Sequence, residues 1–212
     1  MSATADRDVR IEVAQVALDG RLSVPAAARG AVIFAHGSGS GRLSPRNRAV
    51  AAGLNDVGFA TLLFDLLTND EEAVRSNVFD IPMLGARLAA VTGWLQGQAE
   101  IEGLRLGYFG ASTGAAAALW AAAELGEAIS AVVSRGGRPD LAAARLSHVT
   151  AATLMVVGGN DPVVLELNQA ASGHLRSTTQ LVVVPGAGHL FEEPGALQIV
   201  VEHARDWFVA HL

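Results

Sequence analysis

The stretch Leu104-Arg105-Leu106-Gly107-Tyr108-Phe109-Gly110-Ala111-Ser112-Thr113-Gly114, followed by the alanine-rich run Ala115–Ala123, decides how this chain is read. Leu104–Phe109 is a short apolar run of the buried-strand kind, the alanine run has high helix propensity, and the junction between them reads G-x-S-x-G. In that setting the serine sits on a tight strand-to-helix turn that lifts its hydroxyl above a sheet. The flanking glycines remove β-carbons that would collide there. A glycine-rich helix start with an N-cap serine would be written in the same letters, so the motif acquires chemical meaning only if partners stand elsewhere.

Outward from this junction the same alternation recurs. Ala31–Ala35, Ala60–Phe64, Ala131–Ser134, Thr153–Val157 and Gln180–Val184 are further apolar runs, each followed within two residues by Gly, Pro, Asp or Ser. Helical spacing occupies Arg46–Val57, Ile81–Gln98, Thr113–Leu125, Pro162–Leu175 and Pro194–Leu212. Strands alternating with helices predict an α/β fold, a mostly parallel central sheet covered on both faces. At the N-terminal end, Arg10–Leu18 and Arg21–Val24 are expected to form an antiparallel hairpin turned at Asp19-Gly20. No repeat, linker or composition shift divides the chain, and one domain over residues 1–212 is expected.

Composition narrows the chemistry. The 212 residues contain no cysteine, and all 15 cationic side chains are arginine. Thiol nucleophiles, thiolate zinc sites, iron–sulfur ligation, lysine Schiff bases and the Walker lysine are therefore excluded. A net charge of −6 without a basic tract speaks against nucleic acid as partner. Mean hydropathy is +0.34, largely through alanine, yet no run of about 18 residues is continuously apolar, so no membrane span is expected. Met1–Arg10 is charged and lacks the apolar core of a secretory signal, which makes the cytoplasm the default location. No cofactor or metal is expected, and the oligomeric state is not readable.

A serine at neutral pH needs a base, and the base needs an acid to orient it. Asp161 lies in Gly158-Gly159-Asn160-Asp161-Pro162 after one strand, and His189 in Pro185-Gly186-Ala187-Gly188-His189 after the next. Taken alone, Asp161 before Pro162 is an ordinary helix N-cap. Ser112, Asp161 and His189 nevertheless follow in the order expected of an α/β-hydrolase triad, each at a strand's carboxyl end, whereas the competing Asp65 precedes the serine. For the developing oxyanion, the backbone N–H of Thr113 is one donor, and the loop His36-Gly37-Ser38-Gly39-Ser40-Gly41 offers that of Ser38 as the second. Read instead as a dinucleotide cradle, this loop fails, because the third glycine of G-x-G-x-x-G falls on Arg42.

These residues resemble the α/β-hydrolase superfamily and, within it, the small capless dienelactone-hydrolase-like group. The likeness rests on His36-Gly37-Ser38-Gly39, Leu63-Phe64-Asp65-Leu66-Leu67-Thr68, Gly110-Ala111-Ser112-Thr113-Gly114, Gly159-Asn160-Asp161 and Gly188-His189. It implies nucleophile Ser112, acid Asp161, base His189 and oxyanion amides at Ser38 and Thr113. Dienelactone hydrolases proper use a cysteine nucleophile, so the name of the group does not carry the substrate over. The short connection between Ser134 and Thr153 leaves no room for a lid domain.

The expected activity is that of a serine hydrolase acting on small carboxylic esters or lactones. An acyltransferase with the same triad, or a catalytically silent binding or regulatory module, are the alternatives. Arg135, with Arg138 beside it, is placed to meet a substrate carboxylate unless it forms a surface salt bridge. Leu66, Leu67, Met83, Leu190 and Phe191 are candidates for an apolar acyl pocket.

Overall fold

The computed structural model describes residues 4–212. In chain order it contains β1 (Thr4–Val13), β2 (Val16–Pro25), β3 (Gly30–Ala35), α1 (Pro45–Asp56), β4 (Phe59–Phe64), the single-turn α2 (Asn69–Glu72) and α3 (Ile81–Gln96). There follow β5 (Leu106–Ala111), α4 (Thr113–Leu125), β6 (Ile129–Arg135), β7 (Ala152–Gly158), α5 (Pro162–Ser172), β8 (Thr179–Val184) and α6 (Ala196–His211). A 3-10 run, Pro139–His148, joins β6 to β7. The eight strands make one mixed sheet in the order β1-β2-β4-β3-β5-β6-β7-β8, parallel from β4 to β8 and antiparallel at β1 and β2. This is the α/β architecture expected from the sequence, with antiparallel N-terminal strands.

The central strands are apolar throughout because both of their faces are covered. On β3, Ile33 and Ala35 face the core beneath α3 and α4, while Val32 and Phe34 face the core beneath α1 and α6. α4 is buried at nearly every position from Thr113 to Ala122. Its alanines let it lie close to the sheet with α3 packed against it, which explains why a helix with little amphipathic contrast is stable there.

The N-terminal hairpin differs from the sequence expectation. Its strands meet at Val13↔Val16, so the turn is Ala14-Gln15, with Ala14 at φ 52°, and Asp19-Gly20 lies inside β2. Gly20 is needed there for space: a β-carbon would stand 3.0 Å from Val9 Cγ2 and 3.2 Å from Leu63 O. The signal that reads as a turn is a strand glycine pinched between β1 and β4. Helix ends differ from expectation by one to three residues, mostly at the C-terminal side, where α5 stops at Ser172 and α3 at Gln96.

If the turn is Ala14-Gln15, relieving its positive φ with Ala14→Gly should stabilise the fold by about 1 kcal/mol in urea unfolding. Gly20→Ala, at the position the sequence marks as a turn, should destabilise it by about 1–3 kcal/mol. Opposite signs would return the turn to Asp19-Gly20.

Candidate active site

β5 ends at Ala111 and α4 begins at Thr113, which leaves Ser112 to make the whole turn at φ 51°, ψ −120°. For a non-glycine residue this conformation costs about 1–3 kcal/mol, and such strain persists where the surroundings impose it. Here they do: a β-carbon on Gly110 would lie 2.4 Å from Ala115 Cα, and one on Gly114 2.1 Å from Ala35 O. Only glycine at both positions lets α4 pass so close to β5 and to the end of β3. Ser112 occupies the N-cap position, yet its side chain makes no capping bond.

The Ser112 hydroxyl instead faces His189, whose Nε2 lies 3.3 Å from Ser112 Oγ. On the other side of the ring, Nδ1 lies 2.7 Å from Asp161 Oδ2. The pairing assigns an Nδ1–H donating to the carboxylate and a bare Nε2 accepting from the hydroxyl. Asp161 too stands at an N-cap position, before Pro162, without capping α5; its carboxylate goes to the imidazole. Gly136 supports the ring from below: a β-carbon there would stand 3.5 Å from His189 Nδ1 and Cε1. The structure thus brings Ser112, Asp161 and His189 together from the ends of β5, β7 and β8. Of the remaining histidines, His148 and His174 are exposed, whereas His203 and His211 are half-buried on α6.

The loop after β3 runs alongside. Its Ser38 N–H donates to Thr113 Oγ1 at 3.0 Å, so the two residues expected to supply oxyanion amides are in direct contact. The loop is held by a residue whose structural part no motif announced. His36 is 8% exposed, its Nε2 accepts the Leu66 N–H at 2.8 Å, and its Nδ1 lies 3.0 Å from Gly37 O. Burial pushes its pKa below the ordinary histidine value, against smaller opposing contributions from the Gly37 carbonyl, Asp65 and Glu72. Asp65 is occupied elsewhere, accepting the Arg42 N–H at 2.7 Å and pairing with the Arg42 guanidinium.

Leu66, Leu67, Val78, Leu84, Ser38 and Thr113 line a narrow apolar crevice with a free volume of about 10 Å³. That is room for about one water molecule, far below the 300–1,000 Å³ of whole-ligand pockets. Its wall is braced by Arg87, which binds both Glu71 carboxylate oxygens at 2.6 and 2.7 Å and the Leu66 carbonyl at 3.0 Å. That guanidinium holds the Glu71 pKa down at about 2. Thr68 and Glu71 form a capping box on α2, a T-x-x-E signal legible in the sequence. Of the other pocket candidates, Leu190 is 43% exposed next to His189, Phe191 is buried under α6, and Met83 packs against the α3–α4 core.

The two arginines after β6 have different surroundings. Arg138 makes a two-pronged salt bridge to Asp140 at 2.8 and 2.7 Å. Arg135 is 7% exposed, and its Nε and Nη1 are buried without a partner. Burial, reinforced by the charge of Arg46, lowers its pKa to about 10. Its carbonyl accepts the Ser112 N–H at 3.2 Å, which places its backbone directly beside that of Ser112.

Sheet order, strand-end loops and the serine turn together define an α/β-hydrolase fold. Est1E from Butyrivibrio proteoclasticus shares it at a TM-score of 0.83 with 18% identity, over 96% of this chain and 98% of that one. A crystal structure of dienelactone hydrolase from Anabaena variabilis ATCC 29413 superposes at a TM-score of 0.96 with 51% identity, covering 99% of both chains. The chain belongs to the dienelactone hydrolase family. It is also 58% identical over 207 residues to a Mycobacterium tuberculosis H37Rv protein named "Putative phosphoribosyl transferase Rv0571c". The match takes in 98% of this chain and 47% of that protein, so the chain spans about half the length of the curated relatives it matches. No family model matches the chain. Among the described residues, no helix is long and apolar enough to cross a membrane.

The neutral, buried His36 gives a stability prediction with a definite sign. Because its native pKa is depressed, the unfolded chain takes up the proton first as pH falls below about 6.5, and stability declines toward the native value. His36→Asn should remove part of the loss in urea midpoint between pH 7 and pH 5. Parallel pH curves for the variant and the parent chain would assign that loss to other groups.

Proposed function

We propose that this chain is a serine hydrolase of small carboxylic esters or lactones, working through an acyl-enzyme at Ser112. The observation that carries the reading is the continuous line Ser112 Oγ–His189 Nε2–His189 Nδ1–Asp161 Oδ2, at 3.3 and 2.7 Å. In the first half-reaction Ser112 Oγ bonds to the carbonyl carbon as His189 Nε2 takes the hydroxyl proton, and Asp161 stabilises the imidazolium. Collapse of the tetrahedral intermediate breaks the carbon–oxygen bond to the leaving group, which receives that proton from His189. Water then repeats the sequence on the acyl-enzyme and frees Ser112. Thr113 and Ser38 face the carbonyl oxygen, and Leu66 and Leu67, which line the narrow apolar crevice beside them, border the acyl group.

Thiol and amine nucleophiles are absent from the chain, and the serine is the nucleophile the fold presents. The transferase name of the M. tuberculosis relative belongs to a protein of which 53% lies outside the match, and the Ser–His–Asp line supports hydrolysis for the matched part. We place the enzyme in the cytoplasm.

For substrate choice, we assign Arg135 to an anionic group of the substrate. A guanidinium with two buried, unpartnered nitrogens, on a residue whose backbone carbonyl accepts the Ser112 N–H, has a strong requirement for an acceptor, and a carboxylate matches its planar fork. Leu190, exposed next to His189, covers the outer side of the bound ester.

Ser112→Ala should abolish turnover of p-nitrophenyl acetate and remove covalent labelling by a fluorophosphonate, read by mass spectrometry at the Ser112 peptide. Labelling that persists would sink the nucleophile assignment. Arg135→Ala should raise KM for an ester bearing a carboxylate by about tenfold or more, with little change for a neutral one. Equal effects on the two would reduce Arg135 to a structural role. Competing alcohol or thiol acceptors in the same assay separate hydrolysis from acyl transfer by the products formed.

A further inference from the structure

We infer that the side-chain hydroxyl of Thr113 is itself an oxyanion donor, interposed between the Ser38 amide and the substrate oxygen; the inference rests on the serine-hydrolase reading above. In the resting structure the Ser38 N–H is already directed at an acceptor, Thr113 Oγ1 at 3.0 Å. An amide committed in this way is not a free second donor. The hydroxyl that accepts it, however, retains a proton of its own to give. Thr113 is 4% exposed and fixed at the first position of α4, where the amides of the opening turn lack helical partners.

Its Oγ1 and its own backbone N–H lie three bonds apart, so both are near the site where the carbonyl oxygen of a Ser112-bound ester must sit. Thr113 and Ser38 both line the narrow apolar crevice that they share with Leu66 and Leu67. The expected hydrogen-bond chain runs from Ser38 N–H to Thr113 Oγ1, and from Thr113 Oγ–H to the substrate oxygen, with the Thr113 N–H donating to the same oxygen. As negative charge develops on that oxygen, the Ser38 amide polarises the hydroxyl that is stabilising it, and bonds coupled in this way strengthen one another. No proton changes owner and no covalent bond to Thr113 forms. The contribution is electrostatic and larger in the transition state than in the ground state, so it should appear in kcat.

The opposite role has a different signature. If the hydroxyl merely plugs the hole, deleting it frees the Ser38 amide and leaves kcat unchanged or raised. Thr113→Val keeps the side-chain shape and removes the hydroxyl, whereas Thr113→Ser keeps the hydroxyl and removes the methyl.

With p-nitrophenyl acetate, Thr113→Val should lower kcat by about 10²–10³-fold at nearly constant KM, and Thr113→Ser should stay within a few-fold of the parent. Affinity for a trifluoromethyl ketone, which forms the tetrahedral adduct on Ser112, should fall in parallel with kcat in the valine variant and hold in the serine variant. Thermal unfolding of both variants identifies any loss of fold. If valine folds poorly, the serine variant is compared with Thr113→Ala, and rescue by serine alone supports the role. Unchanged or raised kcat in the valine variant, or equal losses in valine and serine, would overturn it. Failure of the underlying reading looks different, because Ser112→Ala would then retain turnover and fluorophosphonate labelling whatever stands at position 113.

Discussion

The close passage of α4 over the end of β3 is the contact on which the rest of the site depends. Gly114 lies so near the Ala35 and His36 carbonyls that a β-carbon would fall 2.1 and 2.4 Å from them. Because the backbones touch, the amide of Thr113 and the loop that begins at His36 occupy the same small space. The same proximity forces Ser112 into its positive φ, since one residue must reverse the chain between β5 and α4. The alanine run that follows permits the approach: Ala115–Ala118 are fully buried and carry no side chain large enough to hold the helix off the sheet. Composition, helix packing and the strain at Ser112 are thus one constraint seen at three scales.

Around that contact, polar groups at the strand ends are used in ways that cost local stability. Ser112 and Asp161 both stand where a side chain would ordinarily cap a helix, a bond worth about 1 kcal/mol, and neither caps. Their oxygens face His189. Elsewhere the loops are tied back by bonds that leave the site itself free. His36 joins the β3 loop to Leu66, Arg42 joins its far end to Asp65, and Arg87 holds the β4 loop through Glu71 and the Leu66 carbonyl. Planar guanidinium groups suit this work, since each can satisfy two acceptors in one orientation.

The strands, the helices and the candidate triad were legible because each is written in local letters. G-x-S-x-G marks a turn that only glycines permit, and the order of Ser112, Asp161 and His189 follows strand order. Where the meaning of a residue depends on a distant neighbour, local letters mislead or say nothing. Asp19-Gly20 reads as a turn, but Gly20 is small because Val9 and Leu63 press on it from two other strands. His36 opens the glycine-rich loop motif, yet nothing local tells of its bond to Leu66, which crosses 30 residues. Arg135 and Arg138 stand three residues apart and look alike in sequence. Arg138, past the end of β6, finds Asp140, and Arg135, the last residue of β6, has two buried nitrogens without a partner.

With Ser112 proposed as the nucleophile, these arrangements have a further consequence. A thiolate can be held in readiness as an anion by a neighbouring cation, so its site must chiefly exclude water and orient the substrate. Serine cannot be stored that way. Its proton has to leave during bond formation, and charge appears on the substrate oxygen at the same moment. A serine site therefore needs a base that is neutral and correctly aimed, together with donors already in place when the oxygen becomes negative. The short Asp161–His189 bond meets the first need by fixing the tautomer. In the proposed mechanism the Ser38–Thr113 contact bears on the second, since it ties the two residues assigned there to the oxyanion to each other before substrate arrives. Donors fixed in advance cost no reorganisation during the reaction. On this argument the serine at position 112 and the hydroxyl at position 113 are connected choices, and the rigidity of the loop between His36 and Ser38 serves both.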